Sequence, residues 1–397
     1  MKQVIRVGIL LSTSGTDQVI GKAALNGALL AFEEINTDLG YEFELEPVIR
    51  DPGDSLEKFS AYAEELLAEE GCQQIIGTAT SSSRKEVIPA IEKHDALLWY
   101  CFPYEGFESC ENIVYIGATP NQHIVPLFRH IIPRYGRNAY LTGSNYIWGW
   151  ETNRVARELL MAVGGQVLGE KYVPINSPDI AHLIDEIAAK KPDFILNNLI
   201  GLSSYEFYKA YEDLGRSNPL FDPANCPIIS CNVTECEIET ISPSALHGHY
   251  TTSIYFENEH AELNRSFVTS LREMLGPHCH SSAFMASAYS AVHMLADAIR
   301  DCGSEDVKSV RKSLYVRCFD SVLGPIQIDQ ITNHAALLPQ VAKFDQTQRF
   351  CIVATSTQPV EADPYFVKFD AEAFTCDINQ HFARQASSDF RNLRVVK

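Results

Sequence analysis

The sequence is poor in basic residues and has no apolar run long enough to cross a membrane. Its 397 residues include 32 Lys and Arg against 51 Asp and Glu, which gives a formal net charge of −19. Binding to phosphate groups needs a basic surface, so this balance argues against direct contact with nucleic acid or with an anionic membrane. No stretch approaches the roughly 20 apolar residues of a membrane span.

The beginning of the chain does not have the shape of a signal peptide. The segment MKQVIRVGILLSTSG contains only a short apolar run, which Arg6 interrupts. It has no small-residue cleavage site and is instead typical of a first buried strand. We therefore expect a cytoplasmic protein, unless a leader has been removed.

The eleven cysteines are not arranged in pairs. None forms a CxxC motif, and the spacing of Cys226, Cys231 and Cys236 matches no zinc motif. Residues 278–280 read His-Cys-His, but zinc sites need further ligands at defined spacing, so a surface loop is the more frequent explanation. A cysteine-rich chain without a disulfide framework fits a reducing compartment. We expect no metal and no cofactor.

The sequence also lacks the short motifs of common enzymes. There is no GxGxxG after the first strand, and there is no GxxxxGK[ST], HExxH or GxSxG in the chain. A Cys-Glu-Lys hydrolase set can be assembled from Cys101, Glu105 and Lys85, but nothing in the surrounding sequence supports it. We therefore expect a binding protein and not an enzyme.

Apolar strands and amphipathic helices alternate along the first two thirds of the chain. The run 4–12 is nearly continuous in Val, Ile and Leu, as in a strand of a parallel sheet, and a helix with an apolar face follows at 21–36. A second series with the same order begins near residue 123. The pattern predicts an α/β protein with two lobes, each a doubly wound parallel sheet.

No Gly/Ser-rich linker separates the two series, so we expect several crossing strands to join the lobes. From about residue 248 the order changes, with two long helices followed by a strand-rich end. We assign residues 1–121 and 254–330 to the N-terminal lobe, and residues 122–253 and 331–397 to the C-terminal lobe. This organisation predicts a ligand cleft between the lobes.

A run of hydroxyl-bearing residues follows one predicted strand. Residues 77–83 read GTATSSS and open a helix, in which Ser83 and Glu86 fit a capping box. A helix N-terminus offers free backbone N–H groups and a partial positive charge, so these hydroxyls are placed to hold a small polar ligand. The alternative is that the serines only cap the helix.

Two further strand ends carry dense aromatic segments. Residues 99–107 read WYCFPYEGF, and residues 143–151, in the second series, read GSNYIWGWE. Ligands of parallel α/β sheets bind beyond the carboxyl ends of the strands, where these segments lie. Core packing is the alternative, but so dense a run at a strand end is more typical of a ligand wall.

Several longer segments resemble one branch of the type I periplasmic-binding-protein fold. They are SxxRKxVxPxxE at 81–92, DALLWY and PYEGFE within 95–108, NIVYIGATPNQ at 112–122, SNYIWGWETN at 144–153 and ADPYFV at 362–367. In these segments the chain resembles the AmiC-type amide sensors, cytoplasmic proteins that control aliphatic amidase expression. The resemblance covers nearly the whole chain. It implies that an amide is bound and not turned over, and that an AmiR-type RNA-binding antiterminator is held inactive as the partner.

The resemblance also implies an amide pocket at seven positions. Four of them keep the family's residue, and they are Ser81, Tyr100, Pro103 and Tyr146. Three depart from it, since Ala79 replaces a tyrosine, Phe102 a threonine and Trp148 a tyrosine. A lost hydroxyl removes about 0.5–1.5 kcal/mol per hydrogen bond, so the ligand is expected to differ from acetamide. We expect a larger or more apolar amide-like or nitrile-derived molecule.

The sequence leaves two functions open. The first is a cytoplasmic sensor that regulates amidase or nitrile-degradation genes through ligand-controlled binding of the antiterminator, with homo-oligomerisation as an open question. The alternative is the solute-binding subunit of an ABC importer for urea, short amides or branched-chain amino acids, which would need export. Neighbouring genes would separate the two, because they would encode either an antiterminator and an amidase or a permease and an ATPase.

Overall fold

Strands alternate with helices along most of the chain. The computed structural model describes residues 2–257 and 261–392. The strands are β1 (Gln3–Leu10), β2 (Phe43–Arg50), β3 (Gln74–Gly77), β4 (Leu97–Tyr100), β5 (Ile113–Tyr115), β6 (Asn138–Ser144), β7 (Gln166–Val173), β8 (Phe194–Asn198), β9 (Ile228–Ser230), β10 (Tyr250–Ser253), β11 (Cys318–Ser321), β12 (Gly324–Ile328), β13 (Ala335–Ala336), β14 (Gln340–Phe344) and β15 (Phe350–Thr355). The helices are α1 (Gln18–Thr37), α2 (Leu56–Ala68), α3 (Ser81–Lys93), α4 (Pro120–Tyr135), α5 (Ile147–Ala162), α6 (Ala181–Lys190), α7 (Leu202–Ser217), α8 (Ile238–Ile241), α9 (Pro243–Leu246), α10 (Glu262–Leu275), α11 (Ala283–Cys302), α12 (Val307–Val316) and α13 (Ala371–Asn392). Among the described residues, no helix combines the length and the apolar character needed to cross a membrane.

The N-terminal strands form the first sheet. Its order is β2-β1-β3-β4-β5, and each neighbouring pair is parallel. The strands β3, β4 and β5 are buried along their whole length, which explains why they have apolar runs instead of an alternating pattern. The helices α1 and α11 pack together in the core of this lobe. The carboxyl ends of all five strands therefore lie at one edge.

The second sheet has the order β15-β14-β10-β9-β8-β6-β7. Pairing is parallel from β10 to β7, whereas β14 and β15 are added antiparallel at the other side. One buried cluster contains Leu183 and Tyr208, from α6 and α7. Another contains Phe128, Leu159 and Phe374, from α4, α5 and α13. Helices on both sides of the sheet thus bury its apolar strands.

The chain passes between the two lobes more than once. It leaves the first sheet after β5, returns to the core of the first lobe after β10 and enters the second sheet again at β14. After the return, α10, α11 and α12 contribute to the core of the first lobe. The predicted fold class, two doubly wound α/β lobes joined by several crossings, is confirmed. The lobe boundaries stay a prediction, and β13, which follows residue 330, pairs with β12.

Candidate functional site

A cavity lies between the two lobes at the carboxyl ends of their strands. The cavity and its open mouth together contain about 720 Å³ of empty space. All seven residues that the sequence assigns to the pocket line it: Ala79, Ser81, Tyr100, Phe102, Pro103, Tyr146 and Trp148. The structure thus brings these residues together, and their contact with a ligand stays a prediction.

The hydroxyl run caps α3 in a different register from the predicted one. Thr80 is the N-cap, and Ser81 is the first residue of the helix. Thr80 Oγ1 accepts from the Ser83 backbone N–H at 3.3 Å, and Ser83 Oγ accepts from the Thr80 N–H at 3.1 Å. The capping box predicted for Ser83 and Glu86 is therefore wrong, because Thr80 supplies the same hydroxyl three residues earlier.

Two charged side chains hold Ser81 from behind the cavity wall. Ser81 Oγ donates to Glu105 Oε2 at 2.6 Å and accepts from Arg84 Nη1 at 3.3 Å. Arg84 is fully buried and forms a salt bridge to Glu108 at 2.6 Å. Although burial acts in the opposite direction, Arg84 lowers the pKa of the Glu108 carboxyl. Among the described residues, the second oxygen of Glu105, Oε1, has no hydrogen-bond partner.

Two tyrosine rings pack on the Arg84 guanidinium. Its central carbon lies 4.4 Å from the centre of the Tyr100 ring and 4.5 Å from that of Tyr104. A planar, weakly hydrated guanidinium suits such a position better than a lysine ammonium would. The Tyr100 hydroxyl donates to the Ala79 carbonyl oxygen at 2.9 Å. The network behind Ser81 therefore also fixes Tyr100 and the backbone at Ala79.

Phe102 forms the apolar part of the first-lobe wall. Its ring stacks on that of Phe284 from α11, with 5.1 Å between the ring centres and 25° between the planes. The Phe102 loop lies tightly against the chain after β5 because residue 117 is glycine. A Cβ on Gly117 would be 1.6 Å from the Phe102 carbonyl oxygen. Phe102 thus narrows the cavity at a position where the resemblance to AmiC-type sensors implies a threonine, whereas the small side chain of Ala79 stands where it implies a tyrosine.

The second lobe contributes Tyr146 and Trp148 from the junction of β6 and α5. Tyr146 Oη accepts from the Ser82 backbone N–H at 2.7 Å and donates to Ser82 Oγ at 3.2 Å, so it links the lobes. A second link joins Asn176 Nδ2 to Thr16 Oγ1 at 2.6 Å. Trp148 Nε1 is buried and has no hydrogen-bond partner within the described ranges. This wall therefore retains one unused N–H donor.

Among the described residues, the cavity wall carries acidic side chains but no basic ones. Of the described residues that line it, two are acidic, Asp17 and Glu237, and none is Lys, Arg or His. Burial raises the pKa of Asp17 to about 6 and the pKa of Glu237 to about 7. Glu237 Oε1 accepts from Tyr205 Oη at 3.2 Å. A carboxylate or phosphate ligand would meet no side-chain cation in the described wall.

Among the lining residues that were not predicted from the sequence are Asp17, Tyr205, Glu237 and Phe284. They come from the start of α1, from α7, from the turn before α8 and from α11. Asp17 follows β1, so it could have been predicted from the rule that ligands bind beyond the carboxyl ends of parallel strands. The others depend on how the lobes meet, which no local pattern reports.

The His-Cys-His segment is not part of a metal centre in the described chain. No group of three or more His, Cys, Asp and Glu side chains is arranged there to hold a metal ion. His280 Nδ1 instead contacts Glu257 Oε2 at 2.7 Å.

All eleven cysteines lie within the described residues and are free thiols. Burial raises the pKa of Cys101, which disfavours the thiolate that a Cys-Glu-Lys hydrolase would need.

This architecture defines a class of protein in which two α/β lobes close around a small molecule. A family model described as periplasmic binding protein domain matches residues 5–371. The chain belongs to this family.

Solved structures share the two-lobed arrangement. The chain resembles a solute-binding protein of an ABC transporter from Rhodopseudomonas palustris HaA2 in complex with p-hydroxybenzoic acid, with a TM-score of 0.82 and 19% identity over 92% of this chain and 100% of that chain. A counterpart from Rhodopseudomonas palustris BisB5, in complex with 3,4-dihydroxybenzoic acid, has a TM-score of 0.80 and 17% identity over 90% and 98% of the two chains. LivJ from Streptococcus pneumoniae, in complex with isoleucine, has a TM-score of 0.75 and 16% identity over 90% and 100%. At these identities the likeness shows the fold alone.

A shorter stretch of the chain also matches a curated protein that is called a hydroxylase. A limonene hydroxylase from Geobacillus stearothermophilus is 32% identical over 117 residues, which are 30% of this chain and 21% of that protein. Because the chain spans only about a fifth of the length of that protein, the match carries no activity over to this chain.

Proposed function

We propose that the protein binds a small uncharged amide-like molecule between its lobes and does not turn it over. The observation that carries the proposal is the chemistry of the cavity wall, which contains hydroxyl, indole and carboxyl groups and, among the described residues, no basic side chain. An amide carries no charge and can both donate and accept hydrogen bonds. Its burial therefore costs less than that of a carboxylate without a cation.

The proposed ligand is larger and more apolar than acetamide. Phe102 and Phe284 form a stacked apolar surface, and Trp148 lies on the opposite lobe. Flat aromatic side chains favour a flat or aromatic group between them. We therefore expect a ligand of about the size of benzamide, with nitrile-derived amides in the same class.

The proposed biological setting is the solute-binding subunit of an ABC importer. Its support is the set of structural neighbours, whose members are solute-binding proteins of transporters in complex with aromatic acids or with a branched-chain amino acid. Two of those bound molecules have the ring size that the aromatic wall favours here. The chain would differ from these proteins in taking the amide and not the acid.

A cytoplasmic amide sensor is a second candidate that specific observations favour. All eleven cysteines are free thiols, as a reducing compartment would keep them. The segments that resemble AmiC-type sensors supply four of the seven pocket residues in unchanged form. In this setting the partner would be an AmiR-type antiterminator, whose binding the amide controls, and the protein would be cytoplasmic.

Thermal unfolding against a ligand panel tests the proposed binding function. The panel contains acetamide, butyramide, benzamide, the matching nitriles, urea and leucine. A ligand at 100 times its Kd adds about 2.7 kcal/mol to stability, which gives a clear rise in Tm. We expect the largest rise with benzamide and the smallest amide effect with acetamide. A rise with leucine or urea alone, or no rise at all, would contradict the proposal.

Mixing experiments separate the two settings. A complex with an AmiR-type antiterminator that dissociates when the amide is added would support the sensor. The absence of any complex, with and without amide, would support the importer subunit. The neighbouring genes give an independent check on the same choice.

A further inference from the structure

Ser81 has one hydrogen-bonding position left for a ligand. A hydroxyl oxygen has one donor and two acceptor positions. The donor goes to Glu105 Oε2 at 2.6 Å, and one acceptor position receives Arg84 Nη1 at 3.3 Å. The remaining position is an acceptor, and Ser81 lines the cavity. A ligand group that meets the Ser81 oxygen must therefore be a donor.

The other two hydroxyls of the predicted pocket are also engaged as donors. Tyr100 donates to the Ala79 carbonyl oxygen at 2.9 Å, and Tyr146 donates to Ser82 Oγ at 3.2 Å. Tyr146 Oη also receives the Ser82 backbone N–H at 2.7 Å. An anion would gain most from the N–H groups at the N-terminus of α3, and the Tyr146 oxygen already occupies one of them, that of Ser82. The three hydroxyls of the predicted pocket are therefore set to accept a ligand hydrogen bond and not to donate one.

Glu105 determines the direction of the Ser81 hydroxyl. Its side chain is 1% exposed, and a carboxylate oxygen can only accept. The 2.6 Å bond has the length of a charge-assisted O–H···O bond. If Ser81 turned its proton toward a ligand, a buried oxygen of Glu105 would lose its partner, which is unfavourable. Glu105 therefore keeps the proton away from the cavity.

We propose that Glu105 is a specificity-determining positioning residue, which makes Ser81 a hydrogen-bond acceptor and thereby selects ligands with an N–H group over the matching carboxylates. The inference rests on the proposed binding function and adds the reason for which the amide is preferred. Glu105 does not itself line the cavity and acts through Ser81.

The test compares benzamide with benzoate by calorimetric titration at pH 7. The variants are Glu105→Gln and Glu105→Leu, which free the Ser81 proton to different extents. The matched control is Glu108→Gln, which removes an acidic group from the same network without a bond to Ser81. We expect the benzamide-over-benzoate ratio to fall by about tenfold or more in both Glu105 variants and by less than about threefold in the control. Equal changes in all three variants, or an unchanged ratio in the Glu105 variants, would overturn the proposal.

A second measurement does not depend on any ligand. The midpoints of urea unfolding are compared for the unmodified protein, Ser81→Ala, Glu105→Leu and the double variant. If the two side chains share the bond described here, the free energy of unfolding falls clearly less in the double variant than the sum of its decreases in the two single variants. Additive losses would overturn the proposal. If the unmodified protein bound neither benzamide nor benzoate, only the proposed function would be contradicted. The unfolding comparison would then show whether Glu105 and Ser81 are coupled.

Discussion

The two walls of the cleft are built in different ways. On the first-lobe wall, Ser81 and Tyr100 make their hydrogen bonds within their own lobe, to Glu105 and to the Ala79 carbonyl oxygen. On the second-lobe wall, Tyr146 bonds to Ser82 of the other lobe. The hydrogen bonds of the first wall therefore form within one lobe, whereas that of Tyr146 on the second wall forms only when the lobes meet.

This difference separates selection from closure. A wall that is fixed within one lobe presents the same hydrogen-bonding pattern in open and closed states, so it can select the ligand before closure. A wall that bonds across the cleft gains its contacts only in the closed state, so it favours that state. The first wall is therefore expected to set ligand chemistry, and the second to set how firmly the cleft closes.

The largest expected effect comes from removing the support of the first wall. Arg84→Met leaves Glu108 without its buried partner at 2.6 Å. Breaking a buried ion pair costs about 3–5 kcal/mol, so we expect a loss of this size in the free energy of unfolding in urea. The neighbouring Lys85 is 46% exposed and lies 4.0 Å from the same carboxylate. Lys85→Met is the control and should cost less than about 1 kcal/mol. Equal losses would show that the first wall does not depend on Arg84.

Phe102→Thr restores the residue of the resembling family and opens the first wall. Loss of most of a buried aromatic side chain costs about 3 kcal/mol of stability. Because the stacking surface on Phe284 is also lost, benzamide should bind more weakly while acetamide is little affected. The control is Phe128→Thr, a buried position in the second-lobe core. Phe128→Thr should lower stability by a similar amount and leave the ratio of benzamide to acetamide affinity unchanged. A similar change of this ratio in both variants would contradict the proposed role of Phe102.

Two buried acidic side chains of the second lobe predict a dependence of stability on pH. Burial raises the pKa of Glu235 to about 8 and that of Glu237 to about 7. The folded state therefore keeps these protons at pH values where the unfolded chain has released them, so stability falls as pH rises toward 8. Buried His123 and His334, with pKa values lowered to about 4, have the opposite effect, but only below about pH 6.5.

Glu235→Gln isolates this effect between pH 6.5 and 8. A shift of one pKa unit corresponds to about 1.4 kcal/mol, so the free energy of unfolding of the unmodified protein should fall by about 2 kcal/mol between these pH values. The free energy of unfolding of the variant, measured in urea at both pH values, should fall clearly less. Parallel curves for the two proteins would show that Glu235 does not titrate in this range.

The smallest effect is expected at the contact across the cleft. Tyr146→Phe removes the hydroxyl that meets Ser82 at 2.7 Å, and a hydrogen bond contributes about 1 kcal/mol. Affinity for benzamide should fall by about threefold to tenfold, with the preference over benzoate retained. Tyr135→Phe is the matched control, because it removes a hydroxyl bonded to Tyr250 within the second lobe. A change of preference in Tyr146→Phe would contradict the division of roles between the walls.

Much of this architecture could be predicted from the sequence, because strand-end position is a local signal. The apolar runs identified the strands and the polar and aromatic segments at their ends, whereas the individual pocket residues Ser81, Tyr100 and Tyr146 were assigned from the resemblance to AmiC-type sensors. The register of the cap was wrong, since four successive hydroxyl residues at 80–83 offer more than one N-cap. The burial of Arg84 was not predicted, because a charged residue on a helix is usually solvated.

The relative affinity of the unmodified protein for benzamide and benzoate tests this account most directly. The two compounds share size and ring and differ in charge and in the presence of an N–H donor. Calorimetric titration at pH 7 should show benzamide binding at least about tenfold more tightly, since the wall offers acceptors and no basic side chain among the described residues. Tighter binding of benzoate would contradict the account, because the described cleft provides no basic side chain to pair with a carboxylate.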